Sequence, residues 1–340
     1  MPVLINEANG LILLNSLPYT PKTSLIIPNF MKKITLLFFT LLFAVVSWAQ
    51  DFKTITYFAN DSTQLQLDLF LPKPVGGKKQ KAKDKTPLLI HVHGGGFAGG
   101  TREWGHTLCR EAVKNGYAAA TISYTLYMKG KKFSCDGILT EKVKAFQIAA
   151  NQLWQATLFF IKNADTYNID TNKIFISGSS AGAETVLHAA YWDRNLMALY
   201  PGKLSNNFKY AGVIAGSGAI MDINLVTIPK LVPMMFFHGS CDGTVPYATA
   251  AHHLCPTNAS GWLMLFGSYA IYNRVIELNG SAQLYTFCNG GHEYSDELFS
   301  KQPEKTISFI KSVLAGEKIQ AHTIIATGKS CKRDNYNFCD

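Results

Sequence analysis

Short apolar, β-rich runs alternate with stretches of helical period from residue 87 to residue 314, and that alternation most narrows the folds open to this chain. Residues 87–92, 117–124, 173–177, 210–215, 231–237 and 283–287 read as strands, and runs as apolar as 87–92 belong to strands covered on both faces. Helices are predicted over 103–115, stopping at Gly116, over 181–192, 268–278 and 304–314, and from an N-cap at Thr140 to about Asn163. In the longest of these, Val143, Phe146, Ala150, Leu153, Trp154, Thr157 and Ile161 keep the spacing of one buried face. Strand followed by helix throughout means parallel strands joined by right-handed crossovers. Ahead of them, 53–59 and 63–69 flank the turn cluster Asn60-Asp61-Ser62 and predict an antiparallel hairpin. The expected class is α/β, with a mostly parallel central sheet and helices on both faces.

Upstream, residues 31–49 have the layout of a secretory signal peptide: Met31-Lys32-Lys33, an apolar stretch over 36–46, then Ser47-Trp48-Ala49. Cleavage is expected after Ala49, leaving 340 − 49 = 291 residues, and residues 1–30 read as an upstream-start extension. The remainder divides into a main domain over 50–316 and a polar, weakly patterned tail over 317–340. Export is therefore expected, to the periplasm or beyond. The chain is 47% apolar and 16% charged, too apolar for a disordered protein. After Ala49 no apolar run reaches the roughly 18 residues of a membrane span.

The formal charge of +9 becomes +7 on cleavage, because residues 1–49 hold Lys22, Lys32 and Lys33 against Glu7. Lys73, Lys78, Lys79, Lys81, Lys83 and Lys85 concentrate much of the remainder in one segment, which reads as a solvated loop rather than a polyanion or membrane patch. No nucleic-acid motif accompanies it. Seven cysteines are too few for a disulfide-built scaffold, and their odd number leaves at least one thiol outside any internal bridge. Two pairings are expected as hypotheses: Cys331 with Cys339 within the tail, and Cys241 with Cys288 at the ends of neighbouring strands.

Chemistry is concentrated first in Gly178-Ser179-Ser180-Ala181-Gly182, which follows a β-rich run and precedes a helix-forming one. A sharp strand-to-helix turn lifts a hydroxyl above the sheet, and only glycine lets neighbouring backbone pass so close. Of three nearby serines only Ser180 has glycine at both −2 and +2. The second concentration is His93-Gly94-Gly95-Gly96-Phe97, directly after the strand at 87–92. Three successive glycines carry a large ordering cost, and one use that offsets it is turning backbone N–H groups toward a developing oxyanion.

Together these two motifs resemble the α/β-hydrolase superfamily, and more narrowly the carboxylesterase and hormone-sensitive-lipase-like esterases with a histidine–triple-glycine loop. The resemblance covers about residues 51–316; Ala183 departs from it, where many such esterases have a further glycine. It implies the chain order serine, acid, histidine. Asp242 in Gly239-Ser240-Cys241-Asp242-Gly243 is the implied acid, with Asp222 as alternative, and His292 in Gly290-Gly291-His292 the implied base. Gly95, Gly96 and Ala181 are the implied oxyanion donors, with Gly94 possible as a sharer, and each such donor contributes around 3 kcal/mol.

No cofactor or metal is implied: His91 and His93 have no third ligand at suitable spacing. His238 and the pair His252-His253 read as structural. Trp104, Tyr124, Tyr127 and Tyr247 fall on loops or strand ends near the expected active face and are candidate substrate contacts, Trp104, Tyr124 and Tyr247 foremost. The implied activity is that of an exported serine esterase acting on short-chain or carbohydrate-linked esters, acetyl or feruloyl. A serine peptidase of the same superfamily and a non-catalytic binding protein on this fold are the competing readings.

Overall fold

The computed structural model describes residues 51–73, 85–333 and 336–339. The extension and signal peptide read above, and all of the lysine-rich segment except Lys73 and Lys85, lie outside the described residues. The strands in chain order are β1 (Lys53–Asn60), β2 (Thr63–Phe70), β3 (Thr86–Val92), β4 (Ala118–Ile122), β5 (Ile169–Ser179), β6 (Gly212–Gly216), β7 (Ala219–Ile220), β8 (Met234–Gly239), β9 (Thr249–Ala251), β10 (Met264–Gly267), β11 (Ala282–Cys288) and β12 (Gln320–Ala326). Nine form one sheet in the order β1-β2-β4-β3-β5-β6-β8-β11-β12. β1–β2 and β2–β4 are antiparallel, and every other pair in that sheet is parallel.

Helices cover both faces because the strands are apolar on both. Leu88, Ile90 and Val92 of β3 enter the core packed by the helices Leu139–Lys162 and Ala181–Tyr191. Leu89 between them enters a second core with Leu108, Phe309 and Ile310, from the helices His106–Lys114 and Pro303–Leu314. Side chains alternate across a strand, so an unbroken apolar run supplies two cores at once.

Three features differ from expectation. The long helix starts at Leu139, not behind a Thr140 cap: extended Ile138 supplies the first carbonyl, accepting from Glu141 N and Lys142 N at 3.1 and 3.2 Å. A three-stranded antiparallel sheet, β7-β10-β9, fills part of the stretch after β6. Finally, the stretch read as tail contributes β12, parallel to β11 with Cys288 opposite Ala326. Parallel pairing brings the chain out of β12 at the carboxyl end of β11.

That exit explains the disulfides. Cys241 bonds Cys331, Cys288 bonds Cys339 and Cys135 bonds Cys255, while Cys109 is a buried free thiol. Both expected pairings are therefore corrected: each tail cysteine reaches a strand-end cysteine instead of its neighbour in the tail. Among the described residues no helix is long and apolar enough to cross a membrane.

Candidate active site

β5 ends at Ser179 and the next helix begins at Ala181, so Ser180 is the whole of the turn between them. Its φ of 53° and ψ of −122° are unusual for a residue with a side chain. Close packing enforces the turn. A Cβ on Gly178 would lie 2.4 Å from the Gly182 carbonyl carbon, and one on Gly182 would lie 2.1 Å from Val92 O. Ser180 N donates to Gly216 O at 2.8 Å, tying the turn to β6.

The sheet then brings two distant side chains to that hydroxyl. Ser180 Oγ lies 2.8 Å from His292 Nε2, and His292 Nδ1 lies 2.7 Å from Asp242 Oδ2. Asp242 follows β8 and His292 follows β11, adjacent parallel strands that end at the same rim. With its Nδ1 proton donated to the carboxylate, His292 presents a lone pair at Nε2 to the Ser180 hydroxyl. Asp242 is fixed as well: Oδ1 accepts from Thr244 N (2.8 Å) and Val245 N (3.0 Å). Burial opposes its ionisation, but hydrogen bonds from His238 and His292, and their charge, hold its carboxyl well below the usual range. Asp222 is not part of this arrangement; its carboxylate accepts from Asn224 N and caps a short 3₁₀ turn.

Gly94, Gly95, Gly96 and Ala181 line the same cavity as Ser180 and His292, a space of about 440 Å³. Gly94 packs so closely that an added Cβ would sit 3.3 Å from Ser180 Cβ, and φ values of 109° and 61° at Gly95 and Gly96 shape the loop. Gly95 O accepts from Ala98 N and Gly99 N, closing the turn. His93 is buried, its Nδ1 2.7 Å from Gly94 O, and it stacks on Tyr124.

Of the aromatic candidates, Trp104 lines the cavity and is 56% exposed. Tyr124 and Tyr247 are corrections. Tyr124 is buried beneath the glycine loop, its hydroxyl donating to His93 O (3.1 Å) and Gly94 O (3.2 Å), so it supports the loop. Tyr247 is buried with its hydroxyl on Thr286 Oγ1 and its ring stacked on Tyr269. Tyr127 instead carries Lys131 over its ring at 3.5 Å.

Four residues at the site escaped the sequence reading of their roles. His238 is buried on β8 with Nε2 3.2 Å from Asp242 Oδ2 and 3.1 Å from Val245 O, two acceptors that fix a proton on that nitrogen. It contacts the same carboxylate oxygen that His292 does, and its place four residues before Asp242 was the available signal. Glu184, His252 and His253 also line the cavity. Glu184, one helical turn after Ser180, was visible as the single acid in that helix. His252 and His253 sit on a 3₁₀ turn after β9, and His253 has φ 56°.

Buried imidazoles make the fold acid-sensitive. Burial pushes His91 down to about 3 and His188 and His253 to about 4, and lowers His93, His252 and His322 too. Each of these is protonated near pH 6.5 in the unfolded chain, so its contribution is full above that pH and lost as pH falls toward the folded value. Glu184 is raised well above its usual range by burial, and Asp296 to about 6, and these two act in the opposite sense. Six imidazoles outweigh two carboxyls. The expected result is a loss on the order of several kcal/mol between about pH 7 and pH 4.5, read as a falling Tm; a Tm that rises over that interval contradicts it.

With this geometry in place, similarity to known proteins is informative. A family profile described as BD-FAE matches residues 67–230, which include Gly94–Gly96 and Ser180 and end before Asp242 and His292. A probable isoprenylcysteine alpha-carbonyl methylesterase of Oryza sativa subsp. japonica is 26% identical over 266 residues, covering 66% of this chain. The chain spans 55% of that relative's length. Among solved structures, a propionate-bound thermophilic esterase of Thermogutta terrifontis superposes with a TM-score of 0.56 at 15% identity, over 78% of this chain and 94% of that one. A form of esterase 2 from the same organism, phosphorylated by paraoxon, gives 0.55 at 16% identity over the same shares. At such identities the likeness concerns the fold.

Proposed function

We propose that this chain, an α/β-hydrolase by fold, is a serine carboxylic ester hydrolase, exported, and acting on short-chain or carbohydrate-linked esters such as acetyl or feruloyl. The observation that carries the activity is the chain of two short contacts from Ser180 Oγ through His292 to Asp242, beside the glycine loop. Ser180 Oγ attacks the ester carbonyl carbon while its proton passes to His292 Nε2. The carbonyl electron pair moves to oxygen, and the oxyanion is received by the amides of Gly95, Gly96 and Ala181. Collapse breaks the carbon–oxygen bond to the alcohol, and His292 returns its proton to the departing alkoxide. Water then repeats the sequence on the acyl-enzyme, releasing the acid and restoring the Ser180 hydroxyl. Asp242 holds the ring and stabilises its cation at each transfer.

Support for export comes from the signal-type pattern at 31–49 and from the three disulfides, which persist in oxidising compartments. The test of mechanism is covalent capture. A fluorophosphonate should add one phosphonyl group per chain, with the mass found on the peptide containing Ser180. Labelling elsewhere, or none at equimolar reagent, would count against an activated Ser180.

A further inference from the structure

One wall of the cavity plays no part in the hydrolytic steps. Glu184 and His252 are both about 1% exposed, and His253 lies beside them. Glu184 Oε1, both ring nitrogens of His252 and Nε2 of His253 are buried without a hydrogen-bond partner among the described residues. Glu184 Oε1 and His252 Nε2 approach only to 3.5 Å, long for a hydrogen bond. Leaving such groups unpaired is unfavourable, so a wall of them points to a ligand that pairs them. Their backbone is fixed: His252 N donates to Leu263 O and His253 N to Thr244 O, both at 2.8 Å. Phe133 packs edge-on against both rings, at 5.0 and 6.1 Å.

We propose that Glu184, His252 and His253 form a subsite that hydrogen-bonds hydroxyl groups on the alcohol part of the ester. The assignment rests on the esterase reading above. A hydroxyl both donates and accepts, which suits a wall made of a carboxyl group and imidazoles. An aliphatic alcohol would leave these atoms unpaired. Burial favours the uncharged forms of Glu184 and of both histidines, which suits a neutral hydroxyl better than an ionic ligand. Among the described residues no three His, Cys, Asp or Glu side chains are disposed to hold a metal ion.

Within the proposal, proton delivery favours placing the subsite on the alcohol side. His292 must protonate the departing alkoxide, and the segments after Asp242 and after His292 both line this cavity, through Thr244, His253 and Asp296. Trp104 offers an exposed indole there, a flat apolar surface for the C–H face of a sugar ring.

The test compares two acetates with rings of similar size: a monoacetylated methyl pyranoside, which keeps free hydroxyls, and cyclohexyl acetate, which has none. Wild type should prefer the pyranoside ester by about tenfold or more in kcat/KM. Glu184→Met should compress that preference to within about threefold, with a thermal melt confirming that it folds. If it does not fold, His253→Leu carries the same expectation. Ser180-dependent hydrolysis of both esters at equal rates by the wild type overturns the subsite and leaves the esterase reading standing. An undiminished preference in both variants overturns it too. Absence of Ser180-dependent hydrolysis of either ester, and of 4-nitrophenyl acetate, overturns both readings together.

Discussion

Ser180→Ala should lower kcat/KM for 4-nitrophenyl acetate by about 10⁴-fold or more while leaving the fold intact. The magnitude follows from what the hydroxyl does and from what remains without it. Ser180 Oγ is the atom that bonds to the acyl group, and it is the hydroxyl that lies 2.8 Å from His292 Nε2. The glycine loop stays in place and still polarises a carbonyl, so a residual rate above that in water persists. Alanine should also be tolerated structurally: the φ of 53° is already borne by a residue with a Cβ, and the close approaches involve Gly178 and Gly182. Loss of activity with an unchanged melting curve is the expected pair of results. A Ser180→Ala enzyme within tenfold of wild type would mean that another group attacks the ester.

The contrast between what was legible and what was not has a physical basis. Ser180 was legible because the constraint on it is local: a strand, one strained residue and a helix need glycine at both −2 and +2, and the sequence displays both. Asp242 and His292 were legible only through the family resemblance, and the sheet shows why that pattern holds here: they follow β8 and β11, parallel strands that present their carboxyl ends at one rim. The central sheet showed itself in apolar runs such as β3, buried at every position but Pro87. β12 did not, because it is an edge strand whose residues are partly or largely exposed, so no apolar run marks it.

The polar wall of the cavity was hidden for a different reason. Glu184 comes from the helix after the elbow, and His252 and His253 from the stretch between β9 and β10, and only tertiary packing brings them together. Tyr124 and Tyr247 failed in the reverse way. Their places in the chain were near the active face, but their rings point into the core, where Tyr124 meets His93 and Tyr247 meets His238 and Tyr269. Position along a chain locates a Cα; it does not choose the direction of a side chain.

Because β12 delivers the last residues to the carboxyl ends of β8 and β11, replacing Cys331 and Cys339 with serine should be far more damaging than their place near the terminus implies. The two bridges close segments of 90 and 51 residues, each restricting the unfolded chain by about 4 kcal/mol in the loop-entropy account. For a chain of this size the pair should lower Tm on the order of 10 °C. Stability is only half of the effect. Cys241 is next to Asp242, and Cys288 ends the strand whose following loop carries His292, so the bridges anchor both loops that present the acid and the base. Arg333 adds contacts to the Cys241 and Asp242 carbonyls, and Tyr336 and Phe338 pack on Tyr269. With both bridges gone, kcat should fall at temperatures well below the new Tm, because Asp242 and His292 lose registry before the sheet melts. The Cys135→Ser, Cys255→Ser variant is the control: its bridge closes 120 residues and ends two residues beyond His253, but it is attached neither beside Asp242 nor to the strand that leads into His292, so it should cost stability without that early loss of kcat. Equal low-temperature kcat in the two variants would show that the last residues brace the fold and not the catalytic loops.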